Sequence, residues 1–413
     1  MNIGFISARL SGTDGVSLEA NKLATVLKGM GHAVFYCAGE LSGDLPGLLA
    51  EELHFTDPTA VELGRRAFAR SGDDFELLHD IRQRARVLKE PLHTFLSEFQ
   101  IDFVIAQNIF AIPMQLPLAQ ALAEVIQECG LPGLAHNHDL YWERERFASN
   151  CIASFLDKYF PPDLPLLQQA VINSAAQRAL KQRRGLHSIL IPNVFDFETD
   201  PPVIDDYNSD FRQAIYVKPD DKLILQPTRV IPRKGIELSI ELLARLNDPR
   251  TKLIITHEAG DEGFEYLHHL QQMAREQQVD MRYLANRIGD KRGRDGEGNK
   301  MYSLWDSYVH ADFVTYPSFI EGFGNALIET VYFRKPALVN RYPVYVDDIG
   351  PKGFLFAEVE GAINDQAVEK VRHWLNEPSE VKKVVDHNFQ LGSIYYSYRA
   401  LAACLEAVLS AVN

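Results

Sequence analysis

The sequence predicts an α/β protein made of two doubly wound, Rossmann-like domains that face each other across a cleft. Three observations carry this prediction. The chain opens as strand, glycine turn, helix and strand; the same alternation restarts near residue 222; and 413 residues exceed what one ordinary core holds.

Taken in order, Asn2 to Ser7 reads as a buried strand, and a Gly-rich turn leads into a helix from about Ser17 to Met30. Gly31 and His32 end that helix, and Ala33 to Ala38 is the next strand. Residues 57–100 read as mostly helical, and Asp102 to Gln107 and Gly133 to His138 as later parallel strands. Ile189-Leu-Ile-Pro-Asn193-Val-Phe-Asp196 closes the first half, and Thr199 to Asp210, with adjacent prolines and several aspartates, reads as a linker. The second series runs through Lys222 to Pro227, Lys252 to Thr256, Met281 to Leu284, Phe313 to Tyr316 and Pro336 to Asn340. Lys291 to Lys300 is a charged, Gly-rich loop expected to be mobile, and residues 391–413 read as one amphipathic helix. The domains are thus expected at 1–198 and 199–390, followed by the closing helix 391–413.

Composition narrows the function. Hydrophobic content of 46% with 24% charged residues fits an ordinary globular enzyme, and a net charge of −14 argues against nucleic acid and stable membrane association. No run approaches eighteen apolar residues, and Met1 to Ile6 enters a strand directly, so neither a membrane span nor a signal peptide is expected. Cys37, Cys129, Cys151 and Cys404 lack metal-ligand spacing and fit free thiols in a cytoplasmic setting.

Four segments carry the chemistry. Glu321-Gly322-Phe323-Gly324-Asn325 leads into a helix holding Glu329. Its glycines let backbone amides approach a ligand, and a helix N-terminus favours an anion, while two carboxylates grip hydroxyls. A third glycine of the dinucleotide pattern is missing, which rejects a nicotinamide site. Arg229 and Lys234 follow the first strand of the second half, and a planar fork with a point charge suits a diphosphate. Ser11 to Ser17, with Gly12, Asp14 and Gly15, is a glycine turn ahead of a helix; Asp14 is a candidate for the acceptor side, because donor phosphate would repel it. His136-Asn137-His138-Asp139 ends a strand, where open sheets bind ligands, and no third metal ligand stands nearby. Tyr141 and Trp142 are candidates for sugar stacking or for the core. Arg144, Arg146, Lys181, Arg183 and Arg184 form a candidate basic rim for an acidic acceptor or a solvated helix face.

In this order the segments resemble the retaining glycosyltransferases of GT-B fold, family 4. The spacing Glu321 to Glu329 is similar to that family's E-x7-E motif, and Ile191-Pro-Asn193-Val-Phe-Asp196 to its interlobe motif, with the usual glycine replaced. The resemblance implies that Arg229 and Lys234 bind the donor diphosphate. It also implies that Glu321 and residues Gly322 to Asn325 hold the sugar, and that Glu329 takes the ribose. Arg287 and Ile288 lie where the family holds the nucleoside base. Gly15 is the better match to the family's glycine pair, and His138, with His136 as fallback, to its sugar-contacting histidine. Glu321, His138, Arg229 and Lys234 are the expected catalytic set, with Asp14, Asp139, Tyr141 and Arg144 as acceptor candidates. Arg233 has no family counterpart. The last helix is expected to cross back onto the first domain.

The expected activity is metal-independent hexosyl transfer, with retention, from a UDP- or GDP-linked sugar to a small polar acceptor such as a sugar or sugar-acid glycoside. No cofactor beyond the donor is expected. The alternatives are a sugar-nucleotide 2-epimerase and a non-catalytic sugar-nucleotide-binding regulator.

Overall fold

Seven parallel strands organise the first unit (Met1–Val194 with Tyr398–Asn413) of the computed structural model, and six parallel strands organise the second (Phe195–Ser397). The structure describes residues 1–12, 14–43, 45–69, 74–259, 263–289 and 291–411. Thr13, in the expected glycine turn, lies outside the described residues.

The first sheet contains β1 (Asn2–Ser7), β2 (Ala33–Ala38), β3 (Gly47–Leu49), β4 (Phe103–Gln107), β5 (Gly133–Asn137), β6 (Leu167–Val171) and β7 (Ile189–Leu190), in the order β3-β2-β1-β4-β5-β6-β7. Strand order reverses between β1 and β4, so the carboxyl ends of β1, β4 and β5 form the crevice where such sheets bind ligands. Helices cover both faces, which is why β4 and β5 are buried throughout.

The second unit contains β8 (Lys222–Gln226), β9 (Thr251–Ile255) and β10 (Met281–Tyr283), followed by a small ribbon of β11 (Ile288–Gly289), β12 (Gly293–Arg294) and β13 (Lys300–Ser303). It is completed by β14 (Phe313–Tyr316), β15 (Ala337–Asn340) and β16 (Ala357–Val359), and the main sheet runs β10-β9-β8-β14-β15-β16. Here the reversal lies between β8 and β14, which pair through Ile224 with Phe313 and Leu225 with Val314. The loops after these two strands, carrying Arg229 to Lys234 and Ser318 to Gly324, are therefore neighbours.

Three expectations change. The segment read as a linker is docked on the second unit: Asn208 is buried, Asp205 pairs with Arg292 at 2.6 Å, and Asp210 with Lys300 at 2.8 Å. The same contacts hold the loop 291–300, whose ends form β12 and β13 and whose Arg292 also binds Asp306 at 2.5 Å. The closing segment is the end of one helix, Pro378–Tyr395, and a second, Tyr398–Ser410. That last helix belongs to the first unit, where Leu401, Leu405 and Val408 join Ala20, Leu23 and Leu27 in one core. Among the described residues no helix is long and apolar enough to cross a membrane, and all four cysteines are free.

Candidate active site

In the second unit the site is assembled by two close approaches. Gly235 has a φ of +61°, and a Cβ there would lie 2.6 Å from the Pro317 carbonyl and 2.9 Å from the Phe319 ring. Only glycine lets the turn after Lys234 meet the loop after β14. The Phe319 backbone amide donates to the Arg233 carbonyl at 2.9 Å, and the Asn340 side-chain Nδ2 donates to the Ser318 carbonyl at 3.0 Å. These contacts put Lys234 against Glu321, with Arg233 Nη1 3.2 Å from the other carboxylate oxygen.

The side chains of Lys234 and Glu321 are only 10% and 8% exposed. Burial pushes the Glu321 carboxyl up, but Lys234 and Arg233 overcome this and hold it below its ordinary range. Burial pulls the Lys234 ammonium below its ordinary range against the Glu321 charge, and repulsion from Arg233 and Arg229 adds to the shift. Three cations thus gather beside one ionised carboxylate. Gly324 has a φ of +122°, and the Tyr342 hydroxyl fills the place of a Cβ while donating to the Phe323 carbonyl at 3.0 Å. The helix Asn325–Tyr332 starts there without a side-chain cap and places the half-buried Glu329 in its second turn. Arg287 and Ile288 close a turn onto the Leu284 carbonyl, and the Arg287 carbonyl accepts from the Tyr302 amide at 2.9 Å.

In the first unit, Gln107 at the end of β4 is the organising residue. Its Oε1 lies 3.1 Å from His136 Nδ1 and 3.1 Å from His138 Nε2. With Gln107 Oε1 as the shared acceptor, both rings carry their protons on those nitrogens. Burial drives His138 down to about 4, so the ring is neutral near pH 7, and burial followed by the neighbouring His138 lowers His136. His136 sits within β5, whereas His138 follows it, and its amide is held by Asn108 Oδ1 at 3.0 Å. A cavity of about 280 Å³ opens beside these strand ends. Its polar wall includes Arg9, Asp14, Gln107, Asn108, Asp139 and Arg144, and Phe55, Ile109 and Met114 are among its apolar residues.

A profile of the family described as "Glycosyl transferases group 1" matches residues 208–389. The chain is 32% identical to the mannosylglucosylglycerate synthase of Petrotoga mobilis, over 95% of this chain and 93% of that one. The chain belongs to the group 1 glycosyl transferases. The enzyme of the same name from Thermotoga maritima is 31% identical, over 97% of this chain and 98% of that one. Solved structures share the fold. A glycosyltransferase from Rickettsia africae has a TM-score of 0.71 at 14% identity, covering 99% of this chain and 98% of that one. HepE of Anabaena, in complex with UDP and glucose, has 0.66 at 16%, covering all of both chains. The two sheets are those of GT-B glycosyltransferases.

Within this glycosyltransferase, Lys234, Glu321 and the Gly322 to Asn325 loop come together, and Arg229 lies close enough to repel Lys234. Arg233, left out of the sequence reading, shares the Glu321 carboxylate. Asp14 lines the cavity but also caps the helix Gly15–Gly29, accepting from Val16 N at 3.1 Å and Ser17 N at 3.2 Å. Two of that helix's first amides are therefore occupied, leaving Gly15 at its start. Arg144 lines the cavity in an ion pair with Asp139. Tyr141 packs into the apolar cores rather than lining the cavity, and Trp142 lies under Arg183 at 5.4 Å. Of the expected basic rim, Arg144 lines the cavity, whereas Lys181 and Arg184 bind within the first unit. Arg184 donates to the Phe160 carbonyl at 3.0 Å, and Lys181 bonds His187 at 2.8 Å. Arg9, Gln107, Asn108 and Gln115 were missed. Their signal is position, since Arg9, Gln107 and Asn108 fall at or just beyond the carboxyl ends of β1 and β4, beside the reversal of strand order.

Proposed function

We propose that this glycosyltransferase moves a mannosyl group from a UDP- or GDP-linked mannose to a hydroxyl of glucosylglycerate, with retention and without an essential divalent metal. The observation that carries this reading is near-full-length similarity to two enzymes named mannosylglucosylglycerate synthase. The cations around Glu321 support a diphosphate leaving group. As the bond from the sugar to phosphate breaks, charge grows on the diphosphate, and Arg229, Lys234 and the amides opening Asn325–Tyr332 oppose it. Glu321, kept ionised by its neighbours, accepts hydrogen bonds from sugar hydroxyls, Glu329 takes the ribose, and the turn at Arg287 and Ile288 takes the base. The acceptor oxygen forms the new C–O bond on the face the phosphate leaves, and its proton passes to a phosphate oxygen. Gly15 and His138 are assigned to substrate contact. Both substrates are small and polar, with no nucleic acid or membrane partner, and the protein is assigned to the cytoplasm.

The test is an assay with glucosylglycerate and UDP-, GDP- and ADP-linked mannose in turn. Nucleoside diphosphate should be released with one donor, and the product should keep the donor's anomeric configuration by NMR. Excess EDTA should leave the rate nearly unchanged. An inverted product refutes retention, and loss of activity in EDTA restored by a divalent cation refutes the role given to the cations. Epimerised donor without transfer refutes the synthase reading.

A further inference from the structure

The first-unit cavity contains two amides that the protein leaves incomplete. Gln107 is 1% exposed and Gln115 5%, both line the cavity, and Gln107 Nε2 and Gln115 Oε1 have no partner among the described residues. The orientation of Gln115 is set, because its Nε2 donates to the Glu52 carbonyl at 3.1 Å. The residues lining the cavity therefore include a buried donor and a buried acceptor left without a partner, a pair that hydroxyl groups satisfy in both directions. Two arginines share this cavity, and each is paired with an aspartate.

The pairs are not equivalent. Asp14 accepts from Val16 N, Ser17 N and Ser17 Oγ, the last at 2.7 Å, so its charge is met without Arg9, which stands 3.2 Å away. Asp139 has Arg144 as its described partner, and turning Arg144 to a ligand would strand it. The Arg9 guanidinium lies over the Phe55 ring at 5.3 Å, which orients its plane.

We propose that Arg9 is the specificity-determining residue that selects an acceptor bearing a carboxylate, with the Gln107 and Gln115 amides taking its hydroxyls. This rests on the synthase reading above, and it names the group that distinguishes the acid from a neutral glycoside. A planar guanidinium offers two parallel donors to a carboxylate, whereas a neutral acceptor would satisfy the amides and leave that fork unused.

Calorimetric titration of the enzyme with glucosylglycerate and with its neutral analogue glucosylglycerol tests this. The unmodified enzyme should bind the acid about 10- to 100-fold more tightly, as a charge-assisted hydrogen-bonded pair contributes. Arg9→Gln should bring that ratio close to one, Arg9→Lys should restore part of it, and Arg144→Gln should keep most of it. Should Arg9→Gln fail to fold, the Arg9→Lys ratio, expected between those of the parent and unity, decides. An unmodified enzyme without preference, including one that binds neither compound, overturns the proposal, as does a preference that survives at Arg9. Transfer is scored apart: selective binding of the acid without a mannosyl product refutes the synthase reading and leaves Arg9 in its role.

Discussion

Gln107 and Gln226 occupy matching places, each the last residue of a strand at the reversal of its sheet, and their surroundings differ. Gln226 is fully used: its Nε2 donates to Thr228 at 2.7 Å, and its Oε1 accepts from Ser239 and Thr315 at 2.8 Å each. Gln107 bonds two histidines through one atom and leaves the other without a partner. At the matching place the second unit pairs its charged and amide groups with one another, down to Lys234 with Glu321, and the buried groups it leaves without a partner among the described residues include the hydroxyls of Ser307 and Ser318. The first unit leaves polar groups for something else to complete. A site for a common, strongly charged ligand can be built as a standing framework of fixed charge. A site that must select one polyhydroxylated partner keeps unsatisfied groups whose burial is costly until that partner arrives.

The largest expected effect breaks the second unit's framework. On the proposed mechanism Lys234→Ala removes a cation from the departing diphosphate and should raise the barrier by about 3 kcal/mol or more, a loss of at least roughly 100-fold in turnover. Steady-state kinetics at saturating donor measures it, and activity within a few-fold of the parent would contradict the phosphate assignment. The same change leaves Glu321 buried with Arg233 as its remaining close cation, so thermal stability should fall as well.

The comparison also explains what could be read from the sequence. The central strands β1, β4, β8 and β14 were legible because a parallel sheet covered on both faces needs continuous apolar runs, as in Phe103 to Ala106, whereas β3, β6 and β16 were not read. Glu321, Lys234 and the glycine loop stood out because the proposed phosphate and sugar grip would need fixed residue types at short spacing in the chain, and the structure brings Lys234 to Glu321. Arg233 did not, since its contact with Glu321 depends on Gly235 meeting Pro317, a tertiary approach with no local pattern. The docking of the acidic segment onto the loop 291–300 was hidden likewise, because Asp210 and Lys300 are ninety residues apart. The cavity residues come from two segments far apart in the chain, Arg9 after β1 and Gln107 and Gln115 at the two ends of the connection after β4, and form no motif.

A second prediction sharpens the contrast through pH. His138 has an ordinary value of 6.5 and is pushed to about 4 by burial, so the unfolded chain binds the proton more readily between those values. Stability should therefore fall as pH drops from about 6.5 towards 4, by up to about 3 kcal/mol from this residue, and level off below. Denaturant titrations across that window should show a shallower decline in His138→Asn. His136, also lowered, contributes its own share, which the variant retains. An unchanged slope would mean that His138 reaches solvent in the folded protein.

A third contrast sets one glycine of each unit against the other, and the smallest expected effect is at Gly15. At Gly324 the φ of +122° and the Tyr342 hydroxyl leave no room for a side chain, so Gly324→Ala should destabilise the second unit by about 2–4 kcal/mol. At Gly15 a Cβ would meet nothing within 4 Å, and the residue opens a helix with ordinary backbone angles. Nothing in the protein demands glycine there, so Gly15→Ala should shift stability by no more than about 0.5–1 kcal/mol, in the favourable direction. If a ligand's close approach is the reason for the glycine, the same substitution should still slow transfer and weaken substrate binding. Thermal melts and kinetics on the one variant separate the two effects. A Gly15→Ala enzyme with parental kinetics would remove Gly15 from the site and leave its side of the strand ends to Arg9 and the two glutamines.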